Sequence, residues 1–226
     1  MNRHHFRYLA AILFLFSLSV SVSAQDKEVF RQKGYILTFI NQEQAFDPAL
    51  RTRMIKTFFK VYPELCKAYN PAAVKEITFV IDTAYKGVAA TSDARVAYSP
   101  VWFKKNPGDI DVVTHEVMHI VQAYGQSNGP WWVTEGIADY VRYKYGVDNV
   151  GAKWTLPAYQ AGQNYDNGYR ITARFLAWLE KNGNAGIVKT LDQHMRNHSY
   201  TEEIWKIKTG KTLADLWTAY TINPTL

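Results

Sequence analysis

Only one cysteine, Cys66, stands in the 226 residues, so no disulfide can form within the chain. The fold must rest on its apolar core, and Cys66 reads as a small buried residue rather than a reactive one. Past residue 24 there is no second long hydrophobic run, no internal repeat and no low-complexity linker. Charge of one sign never accumulates either: Lys104-Lys105 is the densest basic pair beyond residue 24. That excludes the basic stripe of a nucleic-acid binder. What is plentiful is apolar and aromatic: 47% of residues are hydrophobic and 15% aromatic, ample for one sizeable core in a chain short for two large domains.

The first 24 residues read differently from the rest. A basic lead from Asn2 to Arg7 precedes an apolar run from Tyr8 to Val22 and the small residues Val22-Ser23-Ala24, the pattern of a cleaved secretory signal peptide. The expectation is a leader at 1–24, a secreted or periplasmic product cut after about Ala24, and no stable membrane insertion once it is removed. Losing Arg3 and Arg7 leaves 24 basic against 20 acidic residues, a net charge of +4 instead of +6.

The stretch from Asp111 to Tyr140 holds the chemistry. In H-E-V-M-H, His115 and His119 are four residues apart, so on a helix both imidazoles share a face, as two ligands of one ion require. Glu116 is turned by about 100° from His115, out of the ligand line but beside a water held by the metal, the arrangement of zinc peptidases. Catalytic zinc generally has three protein ligands and an open position. Glu135, which opens E-G-I-A-D, is the best third candidate, with Asp139 one turn on to accept the second N–H of a liganding histidine. The competing reading makes His115 and His119 core histidines bonded to backbone carbonyls. The short loop Gly125–Gly129 should fold the second helix straight back. Gly136 fits either close approach to the metal-bearing helix or a later helix start.

Elsewhere the pattern predicts a strand over Gly34–Asn41 and a helix from Asp47-Pro48 to about Val61, kinked or ended by Pro63. It also predicts a buried strand over Glu76–Asp82, two short extended pieces across Val88–Ser99, and Asn106-Pro107 beginning the His115 helix. An ordered loop to Gln163 leads to helices over Tyr165–Glu180, Ile187–Met195, Glu202–Thr209 and Thr212–Tyr220.

The blocks H-E-V-M-H and E-G-I-A-D-Y-V-R, then G-Y-R-I-T-A-R-F-L, M-R-N and T-G-K-T-L-A-D-L-W, in this order and spacing, resemble the basic secretory protein family, secreted zinc peptidases of plants and bacteria. The resemblance implies an α+β, zincin-like fold with a small mixed N-terminal sheet and a mainly helical C-terminal half. It further implies one catalytic unit over 25–226 (sheet-containing half 25–125, helical half 126–226), one Zn2+ per chain and a peptide or protein substrate. By motif match it places zinc ligands at His115 and His119 and the general base at Glu116. Glu135 as third ligand rests on comparison with the gluzincins, the thermolysin-like peptidases.

The expected reaction is peptide hydrolysis by a water that zinc acidifies and Glu116 deprotonates. The oxyanion needs a second donor, for which Tyr169 comes first and Tyr165 second. Against this stands the reading of both as tyrosines packing a helix start. An extended substrate would add to a sheet edge at Val88–Thr91 or Arg95–Ser99, with Trp131 and Trp132 as walls of the cleft. Two other functions fit the same residues: a secreted non-catalytic module binding glycan or cell-wall material on a zincin frame, and a zinc hydrolase of a non-peptide amide.

Overall fold

The computed structural model describes residues 26–126 and 129–226; the leader expected at 1–24 lies outside them. The fold is α+β, a small mixed sheet at the N-terminal end followed by helices. Strand β1 (Asp26–Gln32) turns through Lys33-Gly34, both at positive φ (52° and 80°), into β2 (Tyr35–Asn41). β1 went unread in the sequence because it is an edge strand, largely exposed, with too few apolar residues to show a period.

Helix α1 (Pro48–Tyr69) is capped by Asp47, whose carboxylate accepts from the Ala49 N–H at 2.8 Å. It continues through Pro63 to Tyr69, so Pro63 does not end it, and the helix is longer than the expected stop near Val61. A proline there removes one bond to the preceding turn, but Tyr62, Leu65 and Cys66 are buried around it, and the Tyr62 hydroxyl is tied to the Val74 carbonyl at 2.6 Å. Tertiary packing outweighs the lost bond.

The chain then enters the middle of the sheet as β3 (Glu76–Ile81), followed by the hairpin β4 (Ala89–Ser92) and β5 (Arg95–Tyr98). The strand order is β1-β2-β3-β5-β4, with β2, β3 and β5 parallel and the outer pairs antiparallel. Of the two candidate edges, β4 is therefore the free one; β5 is enclosed between β3 and β4.

A short helix, α2 (Pro100–Lys105), starts on the Ser99 hydroxyl and Pro100. Asn106-Pro107 does not begin the next helix: turns fill the interval, and α3 (Val112–Gln122) starts only after Asp111. The Asp111 carboxylate explains the delay, since it accepts from the backbone N–H groups of Val147 and Asp148 at 2.8 and 2.6 Å, fastening the start of α3 to a distant loop. α3 is buried throughout except at His119, which is half-buried.

α4 (Trp131–Tyr145) returns against α3. Gly136 lies well inside α4, and a Cβ there would stand 2.3 Å from Thr172 Cγ2. The close approach is thus to α5 (Tyr169–Lys181), not to the His115 helix. The helix expected from Tyr165 is broken at Gly168 (φ 74°): a single 3-10 turn, Tyr165–Asn167, precedes α5. α6 (Ile187–Arg196), α7 (Glu203–Thr209) and α8 (Leu213–Ile222) complete the described chain. One continuous apolar cluster joins sheet and helices. No helix among the described residues is long and apolar enough to cross a membrane.

Candidate metal centre

α3 and α4 run antiparallel, since His115 meets Asp139 near one end and Gln122 meets Thr134 near the other. Across this seam His115 Nε2 and His119 Nε2 lie 3.2 Å apart, and Glu135 Oε2 is 3.3 and 3.5 Å from them. A tetrahedral ion with bonds of about 2.0–2.1 Å sets its donors roughly 3.3–3.4 Å apart. The three atoms therefore stand at the spacing one such ion demands, and they form the one group of this kind among the described residues.

The far sides of the rings decide their chemistry. His115 Nδ1 is 2.7 Å from Asp139 Oδ1, a carboxylate that can only accept. His119 Nδ1 is 2.7 Å from Gln122 Oε1, and the Gln122 amide cannot be turned round because its Nε2 donates to the Thr134 carbonyl at 2.9 Å. Both Nδ1 atoms thus carry the proton, and both Nε2 lone pairs face one another beside a carboxylate. Three electron pairs converging at van der Waals distance require a cation between them. Two imidazoles and a carboxylate are a donor set that suits a divalent transition metal.

The titration behaviour carries the same message. Burial by itself lowers the His115 pKa, but Asp139, Glu135 and Glu116 outweigh it and raise it to about 10. Burial raises the Glu135 pKa, and the two histidines reverse this, holding it well below the carboxylate range. Without metal, a proton serves as the cation. The alternative of core histidines bonded to backbone carbonyls is absent: neither ring has a carbonyl partner.

Glu116 sits beside the trio, buried, and the Thr91 hydroxyl on β4 donates to its Oε2 at 2.7 Å. The cleft over the site measures about 1040 Å³. Its lining includes Ala89, Ala90 and Thr91 of the free edge strand β4, and Tyr169. The Tyr169 ring lies nearly parallel to that of His115, 6.2 Å away and half exposed, at φ 47°. Burial, then Glu135, Asp139 and Glu116, raise its pKa, so the phenol keeps its proton at neutral pH.

Two expected cleft residues lie elsewhere. Tyr165 packs between Trp132 and Trp217, with ring centroids at 5.2 and 6.0 Å, and does not line the cleft. Trp132 is buried against Trp205 and is no cleft wall. Trp131 is exposed and tilted against Tyr169, supporting the rim from behind.

Sequence reasoning missed Gln122, Thr91 and the fastening behind them. Arg196 donates to the Val121 and Gln122 carbonyls at 3.3 Å and to that of Tyr69 at 2.9 Å. Asn70 adds a bond to the Val121 carbonyl at 2.9 Å. These donors satisfy the last carbonyls of α3, and they hold Gln122 where His119 needs it. The i, i+3 spacing of His119 and Gln122 was the only available signal.

A family model described as peptidase of plants and bacteria matches residues 17–220. No curated protein matches the chain. Among solved structures, a two-domain M1 zinc metallopeptidase mutant bound to L-tryptophan is similar over 89% of this chain and 52% of its own, with TM-score 0.52 and 12% identity. An M1 zinc metallopeptidase mutant from Deinococcus radiodurans gives 89%, 53%, 0.55 and 12%. One from the same organism bound to a Tyr-Ser-Ala substrate gives 89%, 52%, 0.54 and 14%. The chain spans about half the length of these structures, and at such identities the likeness is one of fold, which is zincin-like.

Proposed function

The chain belongs to the family of peptidases of plants and bacteria, and from that premise we propose that it is a secreted zinc metallopeptidase with His115, His119 and Glu135 as ligands. The observation that carries this reading is the 3.2–3.5 Å triangle of Nε2, Nε2 and Oε2, with both Nδ1 protons already committed elsewhere. When bound, zinc supplies Lewis-acid activation of a water and of the substrate carbonyl. Asp139 and Gln122 keep the two imidazoles in the ligating tautomer.

Glu116 is the general base. Thr91 occupies its Oε2, so Oε1 is the oxygen that takes the proton of the attacking water and returns it to the departing amine. Tyr169, a protonated phenol lining the cleft, is the donor to the oxyanion. Substrate backbone lies along β4. Because the Val88 carbonyl already accepts from the Ser99 N–H, the alternation of an antiparallel pair turns Ala90 and Ser92 inward and Ala89 and Thr91 outward. The outward carbonyl of Ala89 is taken by the Tyr85 hydroxyl at 2.8 Å, so Thr91 offers the complete pairing edge for a peptide.

A casein digest tests the reading. Cleavage should stop with a chelator and return with one equivalent of Zn2+; digestion that persists in chelator, or metal analysis finding no zinc bound, overturns it. The leader expected at 1–24 supports a location outside the cytoplasm, and N-terminal sequencing of the natural product should begin near Gln25.

A further inference from the structure

The cleft continues past the metal centre into a second compartment. Glu135, Asp139 and Arg142 occupy one face of α4 at i, i+4 and i+7, while Val112 lies one turn before His115 on α3. Moving along the seam away from Gln122, the lining therefore passes from the metal ligands to Val112 and Arg142, then to Trp102, Asp109 and Trp154. The loops that close this end come together because Gly108 has no side chain: a Cβ there would stand 2.8 Å from the Gly151 carbonyl oxygen.

Arg142 is 5% exposed, and its guanidinium is held from three sides. Nη2 donates to Asp109 Oδ1, and Nε donates to Asn149 Oδ1 at 3.3 Å. The Trp154 ring covers the guanidinium carbon at 4.4 Å. The holders are themselves fixed: Asp109 Oδ2 accepts from Trp102 Nε1 at 2.9 Å, and Asn149 Nδ2 donates to the Arg142 carbonyl at 2.8 Å. Nη1 has no hydrogen-bond partner, yet it is not among the sealed, unpartnered atoms of the described residues. Arg142 is one of the residues that line the cleft, and an atom neither partnered nor sealed keeps access to it. A buried, oriented cation with a spare donor edge has unmet bonding capacity.

We propose that this compartment is a substrate pocket in which Arg142 receives a carboxylate, from an acidic side chain or from a free chain end, next to the bond that is cut. The inference rests on the peptidase reading of the neighbouring metal centre. The charge balance favours an anion: Asp109 neutralises one positive charge, while Arg142 and the exposed Lys153 bring two. The carboxylates nearer the metal are each engaged by a histidine or by Thr91. Asp109 also sets the Arg142 fork in place beforehand, so the ligand need not order it. A fastening role alone, holding α4 to the loops, would leave Nη1 without a function.

The zinc-loaded protein is assayed with quenched peptides that differ only in Glu, Gln or Lys beside the cleaved bond, each with a free or an amidated C-terminus. Glutamate should exceed glutamine in kcat/KM by about tenfold to a hundredfold, the range of one charge-assisted hydrogen bond. Lysine should be worst. Arg142→Gln should erase the difference between glutamate and glutamine. If instead the free chain end is the source, the free-versus-amide contrast carries the effect and the side-chain contrast does not.

A binding measurement keeps the test independent of turnover: N-acetylglutamate should change the tryptophan fluorescence of the unmodified protein saturably, and its diamide, N-acetylglutamine amide, which has no carboxylate, should not. A flat peptide profile, a preference surviving in Arg142→Gln, or equal responses to the two acetylated compounds each overturns the proposal. Absence of all cleavage with selective N-acetylglutamate binding would sink the peptidase reading and leave this pocket standing.

Discussion

Along one face α4 meets α3 through a polar seam of His115, His119, Gln122, Thr134, Glu135 and Asp139, joined by hydrogen bonds and ion pairs between named atoms. Its other side, with α5, α7 and α8, builds an aromatic layer. There Trp205 stacks on Trp132 and Phe175, and Phe175 also touches Trp217 and Tyr220. Rings tolerate many mutual angles, here from 17° to 80°, whereas the seam admits one arrangement. The aromatic layer supplies non-directional stability. The polar seam gives up apolar burial for geometry, which is worthwhile only where geometry is used.

If that contrast is right, substitutions in the two regions should fail differently. Glu116→Gln touches only proton transfer: turnover should drop by about 10²–10⁴, while zinc content and thermal midpoint stay near those of the parent. Trp205→Ala should do the reverse. Deleting this fully buried ring should cost about 3–5 kcal/mol in urea unfolding, with unchanged zinc affinity in the folded fraction; a mainly catalytic defect would blur the division. Gln122→Met keeps the volume and removes the amide, so zinc affinity in a chelator competition should fall by about 10–100-fold. Gln122→Glu, which keeps an acceptor for His119 Nδ1, should lose less. Tyr169→Phe is the mildest, with kcat about tenfold lower and KM little changed, in the manner of a donor used only in the transition state; full activity would remove Tyr169 from the mechanism.

The contrast also explains what could be read from the residues alone. His115, His119, Glu135 and Asp139 announce themselves because groups that share a helix face recur at i, i+4, and that spacing survives in the sequence. Thr91 and Arg142 meet Glu116 and Asp109 from elements distant in the chain, with no local pattern to mark them, and Gln122 left only its i, i+3 spacing from His119. Tyr169 and Tyr165 are first and second candidates for one role, and Gly168 separates them, Tyr165 into the aromatic layer and Tyr169 onto the cleft. The end expected near Pro63 fell too early because the contacts that carry α1 past it come from the tertiary structure. The strand β1 was too polar to be noticed, as edge strands generally are.

Gly136 immediately follows Glu135, and the residue it nearly touches, Thr172, lies one turn beyond Tyr169. The two helices are thus gauged against each other by the missing side chain, and the gap between carboxylate and phenol is fixed by backbone contact rather than by loop length. A methyl at position 136 would act as a shim, prying the cleft wider on the Tyr169 side while the histidines, anchored to α3, stay put. Because Glu135 stands next to that position on the same helix, the width of the mouth and the set of the carboxylate are tied to one spacing, and variation at 136 retunes both together.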